Sequence, residues 1–280
     1  DYDAWIDDGS CIYPQTFFVD QNNGAESFVT INAAISMAID RDTIIVSPGH
    51  YFENIFISSN IVLKSEDPLH PELTIIEAPN GGTVISINES SPTISGFTIA
   101  NGNAANGGGI SVYGGAPLLT RLLIIGNRAN SKGGGIYLNA ASPYLLNVTV
   151  VANSANSGAS LYFSEGSSPI INNSILWTSE DDQIACWNSN SEENPELNSL
   201  QVSFSNIGGS EDVFDTDNSS FYYDFNTPLE YSSLYPEFMM AVDDTLISIP
   251  FSLEYLDWGD DYDYSLDPSS VSLNNGSSNT

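Results

Sequence analysis

The side chains able to do chemistry in this chain are lopsided, with 36 Asp and Glu against five Lys and Arg. Four adjacent carboxylate pairs stand out: Asp181-Asp182, Glu192-Glu193, Asp243-Asp244 and Asp260-Asp261. Cleavage of a glycosidic bond uses two carboxyls at a defined separation, one of them with a raised pKa. All four pairs fall in polar stretches where solvent leaves little to raise a pKa, so they read as surface charge. The bases are Arg41, Lys64, Arg121, Arg128 and Lys132, and none follows Lys132. Arg121, Arg128 and Lys132 are close enough to share one turn of a repeat. They would offer a basic patch to an anionic sugar, or simply decorate an acidic surface. His50 and His70 fall in early turns with no carboxylate cluster beside them in sequence.

Metal chemistry is offered by Asp257, Asp260, Asp261 and Asp263, and by Asp215 with Asp217. These are hard oxygen ligands at short spacing, suited to Ca2+, but neither group has the Gly at position 6 and Glu at position 12 of a full EF-hand loop. No cofactor is required by anything in the sequence, and Ca2+ is the one ion given a place. No Ser nucleophile elbow is present, and Gly107–Gly109 sits in a repeated turn rather than between a strand and a helix. A formal net charge of −31 repels phosphate backbones and anionic lipid, so nucleic acid is excluded as a partner. No apolar run is long enough for a membrane span. Cys11 and Cys186 are too few for a disulfide framework.

The elements that must position these groups are mostly short strands. Thr43–Val46, Asn54–Ile57, Ile61–Leu63, Thr74–Ile76 and Thr83–Ile87 are β-rich runs, parted by Gly, Pro, Asn and Asp. One helix is predicted over 27–40, where Ile31, Ala34, Ile35, Ala38 and Ile39 make a single apolar stripe. Ser27 or Thr30 would cap it. Such a helix would cover the open end of a stacked structure, where strand edges otherwise meet water.

The chain also repeats itself. Pro92, Pro117, Pro143 and Pro169 are spaced by 25, 26 and 26 residues, and Asn101, Asn127 and Asn153 recur every 26. Gly107-Gly108-Gly109-Ile110 returns as Gly133-Gly134-Gly135-Ile136 and, more loosely, as Gly158-Ala159-Ser160-Leu161. Phe97-Thr98-Ile99 aligns with Leu123-Ile124-Ile125, Thr149-Val150-Val151 and Ile175-Leu176-Trp177. A period of about 26 residues holds three short strands and three turns, each strand pairing in parallel with its equivalent one coil on. The fold class expected is therefore all-β: a right-handed parallel β-helix solenoid with an N-terminal capping helix. Ile110, Ile136 and Leu161 would point inward in one column, and Val112, Leu138 and Phe163 in another. Asn147 under Asn173 would form a structural ladder in a turn. Tyr137 and Tyr162 would share an outward column beside Ser111. They would serve either as stacking along the sheet or as a platform for a sugar face.

Gly24 to Glu66 resembles the opening of the pectate-lyase and pectin-esterase-like β-helix superfamily. The resemblance is carried by Phe28, Thr30-Ile31, Ala34, Ile35, Ala38, Asp42–Val46, Pro48-Gly49, Tyr51, Glu53–Ile55 and Ile61–Leu63. The Asn and Gly-Gly-Gly-Ile coils resemble repeats of chlamydial polymorphic outer-membrane proteins. Asn173–Trp177, Ser203–Gly209, Tyr235–Phe238 and Tyr264–Leu266 resemble late coils of bacterial surface β-helix proteins. Asp7–Tyr13 resembles the end of an acidic, cysteine-containing repeat of secreted bacterial proteins, which implies that this chain is part of a longer polypeptide. The organisation expected is a remnant of an upstream repeat or linker at 1–15, a capped β-helix at 16–209, and an acidic, aromatic-rich insertion with C-terminal coils at 210–280.

Members of this superfamily that act on pectin esters carry paired catalytic aspartates with an arginine, and no segment here has that arrangement. The reading that follows leans away from an enzyme. It is a non-catalytic passenger or stalk of a bacterial surface protein, extracellular or at the cell surface, for adhesion or contact with a polysaccharide or host glycan. Tyr137, Tyr162, Arg121, Arg128 and Lys132 would bind the ligand. The alternative is a polysaccharide-active enzyme, a lyase or a glycoside hydrolase.

Overall fold

The computed structural model describes residues 13–22, 27–178, 183–187 and 198–207 in full, and 208, 214–216, 222–225, 237–242 and 245–250 as parts of strands. One coil shows how the chain winds. The strand Ile110–Tyr113 leads through Gly114 and Gly115, both at positive φ, into the strand Leu118–Ile125. That strand bends at Arg121 (φ 51°), turns at Gly126 (φ 66°) and gives way to Arg128–Lys132. Gly133-Gly134-Gly135 then returns the chain to Ile136–Asn139, directly beside Ile110–Tyr113 in parallel register. Repetition of this path gives a solenoid of about six turns, the right-handed parallel β-helix expected from the repeat.

Four inward columns build the core, because side chains in register stack directly from coil to coil. On the large sheet they are Ile44, Leu63, Ile94, Leu119, Leu145, Ile171 and Val202, and, past the bend, Tyr51, Ile76, Ile99, Ile124, Val150, Leu176 and Ile207. On the seven-stranded flat sheet, Ile110, Ile136, Leu161 and Ile184 stack beside Val112, Leu138, Phe163 and Cys186. All are buried in one continuous cluster.

The predicted alignment of Phe97-Thr98-Ile99 is corrected by one residue. Thr98, Ile99 and Ala100 pair with Leu123, Ile124 and Ile125. The coil between Pro92 and Pro117 has 25 residues, so an offset of 26 slips the register and would turn the outward face inward.

The turns are held by buried polar ladders. Asn127 Oδ1 accepts from the Gly102 N–H at 2.9 Å, and its Nδ2 donates to the Ile99 carbonyl. One coil on, Asn153 Oδ1 accepts from both the N–H and the Nδ2 of Asn127. Asn147 and Asn173 hold a second ladder at the bend, both at positive φ, with Asn173 Nδ2 donating to Asn147 Oδ1. Between these ladders the glycine turns stack without room for side chains. A Cβ on Gly135 would lie 2.6 Å from Val150 Cγ1 and 2.7 Å from the Ser160 carbonyl oxygen.

The helix is shorter than its apolar stripe suggests, covering Ile31–Met37. Thr30 caps it, accepting from the Ala33 N–H, and the Glu53 carboxylate takes the N–H groups of Ile31 and Asn32. Ala38 is already extended, and Asp42 captures the Ile39 N–H, which ends the helix before Ile39 can join it. Ile31 and Ala34 are buried against the first strands of the solenoid.

Candidate functional site

The outer face of the flat sheet gathers aromatic side chains. The register runs Phe56, Ser86, Ser111, Tyr137, Tyr162 and Ala185 in one outward column. The next column, two residues along each strand, holds Asn88, Tyr113, Asn139, Ser164 and Trp187. No carboxylate stands at any of these eleven positions. Tyr137 and Tyr162 stack with centroids 5.6 Å apart and planes 8° from parallel, and Tyr113 packs against Tyr137 at 5.6 Å. Gly133 and Gly158 make this stacking feasible. Each lies at positive φ, and a Cβ would press on Tyr137 Cα at 2.9 Å or Tyr162 Cβ at 3.0 Å.

Lys132 ends its strand beside this face, with Nζ 4.5 Å from the Tyr162 centroid and 5.4 Å from that of Trp187. The ammonium thus lies over two electron-rich rings, an arrangement that holds both the cation and the rings in place. Burial sorts the aromatics into two sets. Tyr137 is 8% and Tyr162 2% exposed, whereas Phe56, Tyr113 and Trp187 are 55%, 42% and 38% exposed. The stacked pair is the floor of the face, and the other three rings are what a ligand would meet. Burial and the neighbouring Tyr137 phenol push the Tyr113 pKa up.

Of the residues singled out in the sequence, Lys132, Tyr137 and Tyr162 come together. Arg121 lies at the bend of Leu118–Ile125 on the large sheet, and Arg128 opens the strand that Lys132 closes, about 13 Å away at strand rise. Both are exposed. Sharing a coil does not make these bases one patch, because a coil turns through several faces. Asp215 takes the register position next to Ala185 on the strand Phe214–Thr216. Asp217, Asp257, Asp260, Asp261 and Asp263 lie outside the described residues, as do the four carboxylate pairs and Cys11. Among the described residues, no three His, Cys, Asp or Glu side chains are grouped to hold a metal ion. No described helix is long and apolar enough to cross a membrane.

One histidine differs from its sequence reading. His50 sits on the strand Gly49–Phe52, not in a turn, and its Nε2 is 3.0 Å from Glu77 Oε2. Asn101 Nδ2 donates to the other Glu77 oxygen at 2.8 Å. His50 pairs with Ile75 and Phe52 with Glu77, so imidazole and carboxylate are diagonal neighbours one coil apart. His70 meets Glu72 at 3.0 Å within its own exposed loop.

No protein-family profile matches the chain, and no curated protein does. Solved structures do. A pectin methylesterase from Aspergillus niger aligns at 15% identity with a TM-score of 0.50, covering 85% of this chain and 91% of that one. Pectin methylesterase PemA from Erwinia chrysanthemi aligns at 13% identity and TM-score 0.42, covering 92% and 100%. A mutant pectin methylesterase in complex with a hexasaccharide aligns at 11% and 0.47, covering 79% and 81%. At these identities the likeness shows the fold alone, the right-handed parallel β-helix. It also corrects the expectation of a non-catalytic passenger or stalk, because the matched structures are those of enzymes. That expectation took the missing aspartate–arginine signature for missing catalysis, although this fold can carry different residues on the same frame.

Proposed function

We propose that this chain is an extracellular polysaccharide-active enzyme, a carbohydrate esterase acting on a pectin-like glycan that lies along the flat sheet. The observation that carries the reading is the row of rings on one outer face, with Lys132 over Tyr162 and Trp187. Aromatic faces stack on the C–H face of a sugar, and Ser and Asn between them bond its hydroxyls. The solved structures of similar fold support the chemistry: they are pectin methylesterases, one of them holding a hexasaccharide. Ester hydrolysis adds water to the carbonyl carbon, expels the alcohol and leaves a carboxylate and a proton. The finer resemblance of the Gly-Gly-Gly-Ile coils to chlamydial surface proteins bears on descent rather than on this activity.

The test is incubation of the purified chain with methyl-esterified polygalacturonan, scoring methanol, chain length and retention together. Methanol release without shortening is expected, with a lower rate in Trp187→Ala. Unsaturated or shortened products would move the reaction class to a lyase or a hydrolase. Absence of both turnover and retention would overturn the reading.

A further inference from the structure

The exposed rings of the flat sheet are spaced like a ruler. Phe56, Tyr113 and Trp187 stand on the first, third and sixth of six consecutive parallel strands: Ile55–Ile57, Ile85–Asn88, Ile110–Tyr113, Ile136–Asn139, Leu161–Ser164 and Ile184–Trp187. Neighbouring strands are ~4.8 Å apart, so the rings fall about 10 Å and then about 14 Å apart along the solenoid axis. Between Phe56 and Tyr113 the face offers the half-buried Ser86 and the exposed Asn88. Between Tyr113 and Trp187 it offers the half-buried Asn139, whose Nδ2 donates to the buried Ser164 hydroxyl at 3.3 Å. Polar groups and rings thus alternate across two adjacent columns, Phe56 in the first and Tyr113 and Trp187 in the second, and no charged residue occupies either column on these six strands.

We propose that this face is a linear subsite for an uncharged glycan about six sugars long, one sugar per coil, with Phe56 as its far end. The inference rests on the polysaccharide reading above and adds length, direction and charge. The charge follows from two facts. The whole chain carries −31, which repels a polyuronate. The one base at this face, Lys132, already lies over the rings of Tyr162 and Trp187. A glycan with its carboxyls esterified escapes the repulsion and still stacks.

The test measures Kd for fully methyl-esterified and de-esterified oligogalacturonides, from dimers to octamers. For the esterified series, affinity should rise to the hexamer and then level. Phe56→Ala should weaken the hexamer about tenfold, the loss of one stacked ring, and leave dimers unchanged. Phe56 is exposed, so an unchanged melting curve is expected of the variant and checks its fold. De-esterified hexamers should bind more weakly at low salt, and the gap should narrow as salt screens the field. A plateau already reached by trimers, or a hexamer affinity indifferent to Phe56→Ala, would overturn the six-coil subsite and leave the esterase reading standing. Failure of the wild-type chain to bind any oligomer would overturn both.

Discussion

Replacing Asn153 by Ala removes three buried hydrogen bonds at once. Its Oδ1 accepts from the N–H of Asn127 at 2.9 Å and from Asn127 Nδ2 at 3.0 Å, and its Nδ2 donates to the Ile124 carbonyl at 2.9 Å. The side chain is 1% exposed, so water does not take its place without a cost. The variant would strand the Asn127 N–H inside the solenoid and take one donor from Ile124. Asn127 would keep the bond from its Nδ2 to the Ile99 carbonyl and the one its Oδ1 accepts from the Gly102 N–H. An orphaned buried donor costs ~1–3 kcal/mol, and the lost net bonds add roughly 1 kcal/mol more. The expected destabilisation is about 3 kcal/mol, a large part of the 5–15 kcal/mol typical of a folded domain. Urea unfolding followed by circular dichroism measures it, as a shift in midpoint at unchanged slope. Asn156→Ala is the internal control, because its bond from Nδ2 to the Asn130 carbonyl is exposed and should be worth less than ~0.5 kcal/mol. If Asn153→Ala and Asn156→Ala unfold at the same midpoint, the ladder does not hold the turn and the reasoning fails.

Two further perturbations probe the frame. Gly135→Ala would press a methyl group against Val150 and the Ser160 carbonyl, and backbone cannot yield as a side-chain tip can. A loss of at least about 2 kcal/mol in the melt is expected, while Gly49→Ala, whose nearest neighbour would be 3.4 Å away, stays near wild type. Tyr51 has its pKa pushed up to about 12, first by burial and then by Asp20, Glu53 and Glu66. A raised folded pKa keeps its contribution whole below the ordinary value near 10 and loses it as pH climbs toward 12. Wild type should therefore lose about 2–3 kcal/mol more than Tyr51→Phe across that window, read from unfolding curves at stepped pH. Parallel pH profiles for the two proteins would count against a buried, neutral Tyr51.

From Pro92 onward the sequence could be read almost coil by coil, because stacked side chains repeat at the length of the coil. Ile110, Ile136 and Leu161 are legible as a column for that reason. Before Pro92 the period is lost: Thr43 pairs with Val62 at 19 residues, and Val62 with Thr93 at 31. His50 and Glu77 meet across that irregular stretch, so nothing in their spacing announces the pair. The aromatic face was half legible. Tyr137 and Tyr162 repeat at one position, but Tyr113 and Trp187 share their column with Asn139 and Ser164, which hides the pattern. The signal that could have found them is alternation, since residues two places after Ser111 and Ala185 must return to the same face. The basic coil misled for the opposite reason: adjacency in sequence sent Arg121 and Lys132 to different sheets.

The parallel pairing of each coil with only its neighbours has a genetic consequence. Duplicating the segment from Ile110 to Gly135 in the gene would insert one whole coil, because its ends already fit Gly109 and Ile136. The stack would lengthen by ~4.8 Å, and every later column would keep its face. Loss of a single codon inside one of its strands would instead turn the rest of that strand over, whereas turns absorb differences in length, as the 25-residue coil shows. Unequal crossing-over between repeats is thus the cheapest route by which such a chain changes length, and each event moves Trp187 one strand further from Phe56.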